Sequence, residues 1–220
     1  MKIRIAINGF GRIGRNLFRL LLDHPTIEVV AINDIADTKT MAHLLKYDSI
    51  HGVLPFEVSY DEKGIIVDGK HFLFFHQKSI SNLDWKSTGI DIVVESTGKH
   101  KTFEEINAHI LGGAKKVILS APSEVEEIKT VVLGVNEHIL DGTETIISNA
   151  SCTTNNAAPM MKVINKLCGI EQAYITTIHS YTTDQSLHDQ PHKDLRRARG
   201  ACQSIVPTTT GAAKALTKIF

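Results

Sequence analysis

Cys152 stands in "SNASCTTNNAAP", residues 148–159, flanked by Ser151, Thr153, Thr154 and Asn155 rather than by the aliphatic side chains that usually surround a structural cysteine. A thiol in that setting suits nucleophilic chemistry. The thiolate is the reactive form, and a thiol with the ordinary pKa of ~8.5 is only about 3% ionised at pH 7. The stretch falls where a strand-like run gives way to a helix-like one, and the amides and positive pole of a helix start favour a thiolate. Such a thiolate needs a proton acceptor within reach. Among 11 histidines, His179 is the candidate, because it ends the alternating run "AYITTIHSYT" beside hydroxyl-bearing residues. Spacing alone does not join it to Cys152, and an inert buried cysteine stays open as the alternative. Cys168, at a helix end on an apolar face, and Cys202, beside Ala201, fit that inert description. Pro159 belongs most easily in a first helical turn, which places the start of the regular helix after Cys152.

A second chemical group lies near the N-terminus. "INGFGRIG" places Gly9, Gly11 and Gly14 in the G-x-G-x-x-G pattern. The first glycine allows a tight turn, the second a close backbone approach to a pyrophosphate, and the third tight helix–strand packing. Three glycines alone are a weak signal, but these follow a strand, open a helix and precede Asp34 at the end of the next strand. A carboxylate there accepts from a ribose diol and repels a 2′-phosphate, which favours NAD over NADP. Arg12 sits where the phosphates would arrive. The plainer alternative is a glycine turn with Asp34 as a loop cap.

The elements that position these groups follow from the apolar pattern. "KIRIAI" alternates as a strand, Ile13, Leu17, Leu20 and Leu21 recur at helical spacing, and "IEVVAINDI" is a second strand, completing a strand–helix–strand unit. "MAHLLKYDS" reads as a short helix, and residues 53–75 as antiparallel strands with turns at "DEKG" and "VDGK". "DIVVEST", "KKVILSAP", "TVVLGVN" and "TIISNA" have strand length, with the helix "KTFEEINAHILGG" between the first two. This alternation predicts an α/β fold, a Rossmann-type doubly wound and mostly parallel sheet over 1–150. The pattern changes at the Ala150–Ser151 junction. Residues 151–220 then read as the start of a second, α+β domain: a helix over 153–168 ended by Gly169, a long strand "EQAYITTIHSY", and a long functional loop over 181–203.

Composition narrows the partners. The 220 residues are 42% hydrophobic and 22% charged, and 24 Lys and Arg balance 24 Asp and Glu, an ordinary globular mix with no electrostatic reason to expect nucleic acid or an anionic membrane. The apolar runs are short and the N-terminus enters a strand directly, so neither a membrane span nor a signal peptide is expected. Three cysteines without close spacing argue against a disulfide framework and for a reducing, cytoplasmic setting, and the lack of a C-x-x-C pair argues against a zinc site.

"INGFGRIGR", "SNASCTTN", "TTIHSYTTDQ", "HKDLRRARGA" and "PTTTGAAKAL" together resemble the phosphorylating glyceraldehyde-3-phosphate dehydrogenases, in order along the chain. The resemblance implies a glycolytic oxidoreductase with Cys152 as nucleophile and His179 as its base. It implies NAD contacts at Gly9, Gly11, Arg12, Ile13, Asp34, Ser120 and Lys78, the last where the family more often has arginine, with Ser96 and Thr97 along the cofactor groove. It implies substrate and phosphate contacts at Ser151, Thr153, Thr182, Arg197, Thr210 and Gly211, for D-glyceraldehyde 3-phosphate and inorganic phosphate, and no metal. The implied reaction passes through a hemithioacetal and a thioester that phosphate cleaves to an acyl phosphate, and the implied assembly is a homotetramer. The sequence departs from the family pattern at Asn156 and Thr183, the latter near the nicotinamide. Family members continue well past Phe220, so the chain is expected to be a fragment. Erythrose-4-phosphate dehydrogenase and a non-catalytic NAD-binding fragment are the competing readings.

Overall fold

In the computed structural model, which describes residues 2–211 and 215–220, the chain divides into two compact units, Met1–Ser151 and Cys152–Phe220. The first unit is built on strand β1 (Ile3–Asn8), helix α1 (Arg12–Leu21) and strand β2 (Ile27–Asn33), followed by α2 (Thr38–Lys46) and the small hairpin β3 (Tyr47–Asp48) with β4 (Gly52–Val53). Next come β5 (Val58–Tyr60), β6 (Gly64–Val67) and β7 (Lys70–Phe75), then α3 (Trp85–Thr88), β8 (Ile92–Glu95), α4 (Phe103–Leu111) and β9 (Lys116–Leu119). The last strands are β10 (Lys129–Thr130) and β11 (Ile146–Ser148).

Nine of these strands form one sheet in the order β10-β11-β9-β8-β1-β2-β7-β6-β5, parallel from β10 to β7 and antiparallel over β7-β6-β5. This is the doubly wound, mostly parallel architecture expected. Both faces are covered, because the pleat sends alternate side chains to opposite sides. Ile5 and Ile7 join Phe10, Phe18, Val29, Ile32, Leu45, Phe72 and Phe74 in one core, and Ala6 joins Ala31, Trp85, Val93, Ile106 and Val117 in the other. Strand order reverses at β1, which pairs with β2 on one side and β8 on the other. In open α/β sheets the ligand crevice lies at the carboxyl ends of the strands at such a switch point.

Several local expectations need correction. "TVVLGVN" contributes only Thr130 to the two-residue β10, and Val131 adds one backbone bond to Ser148 O before the chain leaves the ladder. Helix α2 begins at Thr38, three residues ahead of the apolar run, because the Asp37 side chain accepts from Thr40 N and caps it. In the second unit, α5 runs from Cys152 to Cys168 with Pro159 inside it, so Pro159 does not mark a first turn. Its ring costs roughly 3 kcal/mol in a helix interior, which the helix accepts while keeping Cys152 at its first position. Ala150 turns the chain just ahead of that position with φ 57, a left-handed conformation costing an L-residue about 1–2 kcal/mol.

"EQAYITTIHSY" forms no strand in the structure. A strand needs a ladder partner for its N–H and C=O groups, and among the described residues of the second unit no other strand offers one. Its alternating apolar residues stay open to solvent, Ile178 at 94%. Residues 181–203 carry turns and bends. Ala212, Ala213 and Lys214, part of the "PTTTGAAKAL" motif, lie outside the described residues. Among those described, no helix is long and apolar enough to cross a membrane.

Candidate active site

One candidate site, within the first unit, is the loop between β1 and α1. Gly9 has φ +93, and a Cβ there would come 2.6 Å from Thr97 N and 2.8 Å from the Ser96 carbonyl carbon. The β1 and β8 loops thus touch at a point where only glycine fits. A Cβ on Gly14 would lie 2.2 Å from Gly9 O, so the third glycine lets α1 close onto the turn. Gly11 differs: it caps α1 with extended backbone and faces open space, with nothing within 4 Å of a Cβ position. That space, beside the unpaired amides of a ten-residue helix, is the room a pyrophosphate requires.

Asp34 follows β2, and its carboxylate accepts from Phe10 N at 2.7 Å and Ala36 N at 3.0 Å. It therefore anchors the glycine loop and retains lone pairs for a ribose diol. Ser96 Oγ donates to Asn8 O and Gly9 O, at 3.0 and 2.8 Å. Gly9, Gly11, Asp34, Ser96 and Thr97 thus gather around the carboxyl ends of β1, β2 and β8. Ile13 is exposed at the start of α1, Ser120 is half-buried after β9, and Lys78 is exposed past β7. Arg12 is not free: its guanidinium is ion-paired with Asp48. The His51 amide first, then the Ile50 amide and Arg12, hold the Asp48 carboxyl below the usual carboxylate range against the opposing effect of burial. An arriving phosphate has to compete with that carboxylate for Arg12.

A separate candidate site lies within the second unit. Cys152 is exposed at the first position of α5, and its Sγ lies 3.2 Å from His179 Nε2. His179 Nδ1 contacts Ser180 O at 2.6 Å. A carbonyl only accepts, so Nδ1 carries the proton and Nε2 is the nitrogen that exchanges a proton with the thiol. The His179 hydrogen bond and its charge lower the Cys152 pKa, with further help from the Thr153 hydroxyl and amide, while partial burial works the other way. The Ser180 carbonyl and then the thiolate raise the His179 pKa. Both shifts favour a thiolate–imidazolium pair. The expected inertness of Cys168 and Cys202 by burial does not hold, since both are exposed. Cys168 closes α5, where Leu167 is also exposed, and its thiol donates to Ile164 O at 3.4 Å. What sets Cys152 apart is its imidazole neighbour.

The loop residues divide. Thr182 and Arg197 are linked through Asp184: Thr182 Oγ1 accepts from Asp184 N at 3.4 Å, and the Asp184 carboxylate pairs with Arg197. Thr182 N and Oγ1 also donate to Gln185 Oε1. Thr210 and Gly211 are exposed in a later segment, Thr153 is half-buried beside the thiol, and Ser151 closes the first unit. Asp48 and Asp184, which occupy the two arginines, were not singled out from the sequence. Neither was the buried set Asn8, Asn33 and Glu95. The signal for that set was present, since "IAIN", "VAIN" and "IVVE" each end an apolar strand on a polar residue. Among the described residues, no cluster of three or more His, Cys, Asp or Glu could hold a metal ion.

Residues 3–103 match the family described as glyceraldehyde 3-phosphate dehydrogenase, NAD binding domain, and residues 151–220 match its C-terminal domain. The chain is 55% identical over 215 residues to a glyceraldehyde-3-phosphate dehydrogenase of Thermotoga maritima, covering 97% of this chain and 64% of the relative. It is 53% identical over 221 residues to that of Geobacillus stearothermophilus, covering 100% and 66%. With the Mycoplasma pneumoniae protein of the same name the identity is 53% over 214 residues, covering 97% and 64%. The chain therefore spans just under two thirds of the length of the curated relatives it matches.

Proposed function

Because the chain belongs to the glyceraldehyde-3-phosphate dehydrogenase family, we propose that its protein carries out the NAD-dependent oxidative phosphorylation of D-glyceraldehyde 3-phosphate to 1,3-bisphosphoglycerate. The observation that carries this reading is the 3.2 Å contact between Cys152 Sγ and His179 Nε2, with Nδ1 fixed by Ser180 O. The Cys152 thiolate adds to the aldehyde carbon, and the His179 imidazolium supplies the proton that the new alkoxide takes. The His179 Nε2 lone pair, free again, accepts the hemithioacetal hydroxyl proton as the carbon is oxidised. NAD, when bound, accepts the hydride that leaves this carbon. Donors around Cys152, with the His179 N–H, stabilise the developing oxyanion. Inorganic phosphate then attacks the thioester, releasing the acyl phosphate and returning the thiolate.

Thr153, Thr182, Arg197, Thr210 and Gly211, with Ser151, supply the phosphate donors in this reading: hydroxyls, one guanidinium and one backbone amide. Arg12, Ile13, Lys78 and Ser120 contact the cofactor with Gly9, Gly11 and Asp34. The test is anion dependence. Steady NAD reduction with glyceraldehyde 3-phosphate is expected only when phosphate or arsenate is present, and equal steady rates without either would reject the phosphorylating reaction.

Asp34 sets the cofactor choice. Its carboxylate, anchored by two amides, repels a 2′-phosphate, and the neighbouring Ile35 offers no compensating donor. A kcat/KM preference for NAD over NADP of roughly 100-fold follows, since each 1.4 kcal/mol of repulsion is about tenfold and a pair of charges a few ångströms apart near a surface supplies a few kcal/mol. Comparable constants for both cofactors would remove Asp34 from this role.

The assembly in this reading is a cytoplasmic homotetramer. The 181–203 loop has little core of its own, with Leu187 and Leu195 exposed, and would pack against a neighbouring copy. Sedimentation of the protein as a monomer would contradict it.

A further inference from the structure

Beneath the cofactor loops runs a line of buried polar side chains that the proposed reaction does not use. Asn8, Asn33 and Glu95 end β1, β2 and β8, and His109 projects from α4. Their relative exposures are 1%, 4%, 1% and 0%. Gln77 N donates to Asn33 Oδ1, and Asn33 Nδ2 donates to Gln77 O and Asn8 Oδ1. Asn8 Nδ2 donates to Glu95 Oε2 at 2.5 Å, and His109 Nε2 lies 3.1 Å from the same oxygen. Thr97 N and Oγ1 donate to Glu95 Oε1 at 2.8 and 2.5 Å. Trp85 Nε1 meets His109 Nδ1 at 3.0 Å.

Donor chemistry fixes the roles. An indole only donates, so His109 Nδ1 accepts and Nε2–H donates to Glu95. Glu95 then receives four donors, two on each oxygen. Only an ionised carboxylate can accept them all, since glutamine would turn one oxygen into a donor facing donors. Four of the network residues also stand directly before residues of the candidate cofactor site: Asn8 before Gly9, Asn33 before Asp34, Gln77 before Lys78, and Glu95 before Ser96 and Thr97.

We propose that Glu95 and His109 are positioning residues of the NAD site, holding the loops after β1, β2, β7 and β8 in register as one unit. The inference rests on the reading that those loops take the cofactor. Glu95 fixes Thr97, Thr97 packs against Gly9, and Gly9 sets the glycine turn, so a defect at the carboxylate reaches the cofactor without contact. His109 acts one step further out by orienting the Glu95 carboxylate, and Trp85 holds His109 in turn.

The test measures NAD affinity of the chain by calorimetry, well below the melting temperature, in Glu95→Gln, His109→Leu, His109→Gln and Ile106→Val. The last loosens the same helix core without touching the network. Glu95→Gln and His109→Leu are expected to weaken NAD binding at least roughly tenfold, the scale of an unpaired buried charge-assisted bond. His109→Gln, which keeps one donor and one acceptor, should recover much of the loss, and Ile106→Val should bind as wild type. Unchanged affinity in Glu95→Gln and His109→Leu, or an equal loss in Ile106→Val, would overturn the proposal. Should the network variants not fold, the wild-type chain decides: the ring-nitrogen NMR signals of buried His109 must shift on saturation with NAD, and unmoved signals overturn it. A wild-type chain with no NAD affinity would instead bring down the reading beneath it.

Discussion

Cys152→Ser is expected to abolish glyceraldehyde 3-phosphate oxidation while leaving NAD affinity unchanged. A serine hydroxyl is not ionised by an imidazole neighbour at neutral pH, so the first covalent bond of the reaction does not form. A nucleophile that works as a unit with its base accounts for most of the chemical acceleration, and its loss lowers kcat by roughly 10⁴-fold or more. The cofactor loops lie in the first unit, built by β1, β2 and β8, and the substitution leaves their glycines, Asp34 and Thr97 untouched. Calorimetric titration with NAD beside a turnover assay separates the two effects. Residual turnover within tenfold of wild type would exclude a Cys152 thioester.

His179→Asn is expected to lower kcat by roughly 10²–10⁴-fold, the range of a lost general acid–base. It should also move the pH profile in a stated direction. In the wild type the imidazole holds the Cys152 thiol below its ordinary range, while Ser180 O and the thiolate hold His179 above its own. The thiolate–imidazolium pair therefore persists between those two limits, and thiol reactivity rises at a lower pH than for an isolated cysteine. Without the imidazole, the rise moves up towards the ordinary thiol value. An unchanged profile in the variant would mean that the contact does not tune the thiol.

The first unit was largely legible because its elements announce themselves locally. Apolar runs of strand length alternate with helical spacing, and Gly9 and Gly14 answer to close approaches that no other residue satisfies, while Gly11 leaves open space. What escaped was tertiary. That Asp48 pairs with Arg12, or Asp184 with Arg197, is set by segments far apart in sequence meeting within each unit, and neither pair has a sequence spacing to reveal it. The Glu95–His109 contact joins a strand end to a helix through the core, and its separation of 14 residues matches no local pattern that would reveal it. In the second unit the alternation of 171–181 was real, yet a strand exists only with a partner, and the described residues supply none. Pro159 misled in the other direction: its cost is modest beside seventeen residues of helix, so it neither starts nor stops α5. Cys168 and Cys202 were placed inside on the strength of their neighbours, and both face solvent.

The Cys152–His179 contact makes one reactive thiol out of three exposed ones. Iodoacetamide labelling at pH 7 with peptide mapping, on the wild type and on His179→Asn, reads this out. Because all three cysteines are exposed, access alone predicts similar rates. The pair predicts that Cys152 labels first and well ahead of Cys168 and Cys202. It also predicts that His179→Asn slows Cys152 by roughly tenfold, the loss of thiolate fraction less the gain in intrinsic nucleophilicity at a higher pKa. Labelling spread evenly over the three cysteines, or a Cys152 rate indifferent to His179, would contradict the catalytic pair.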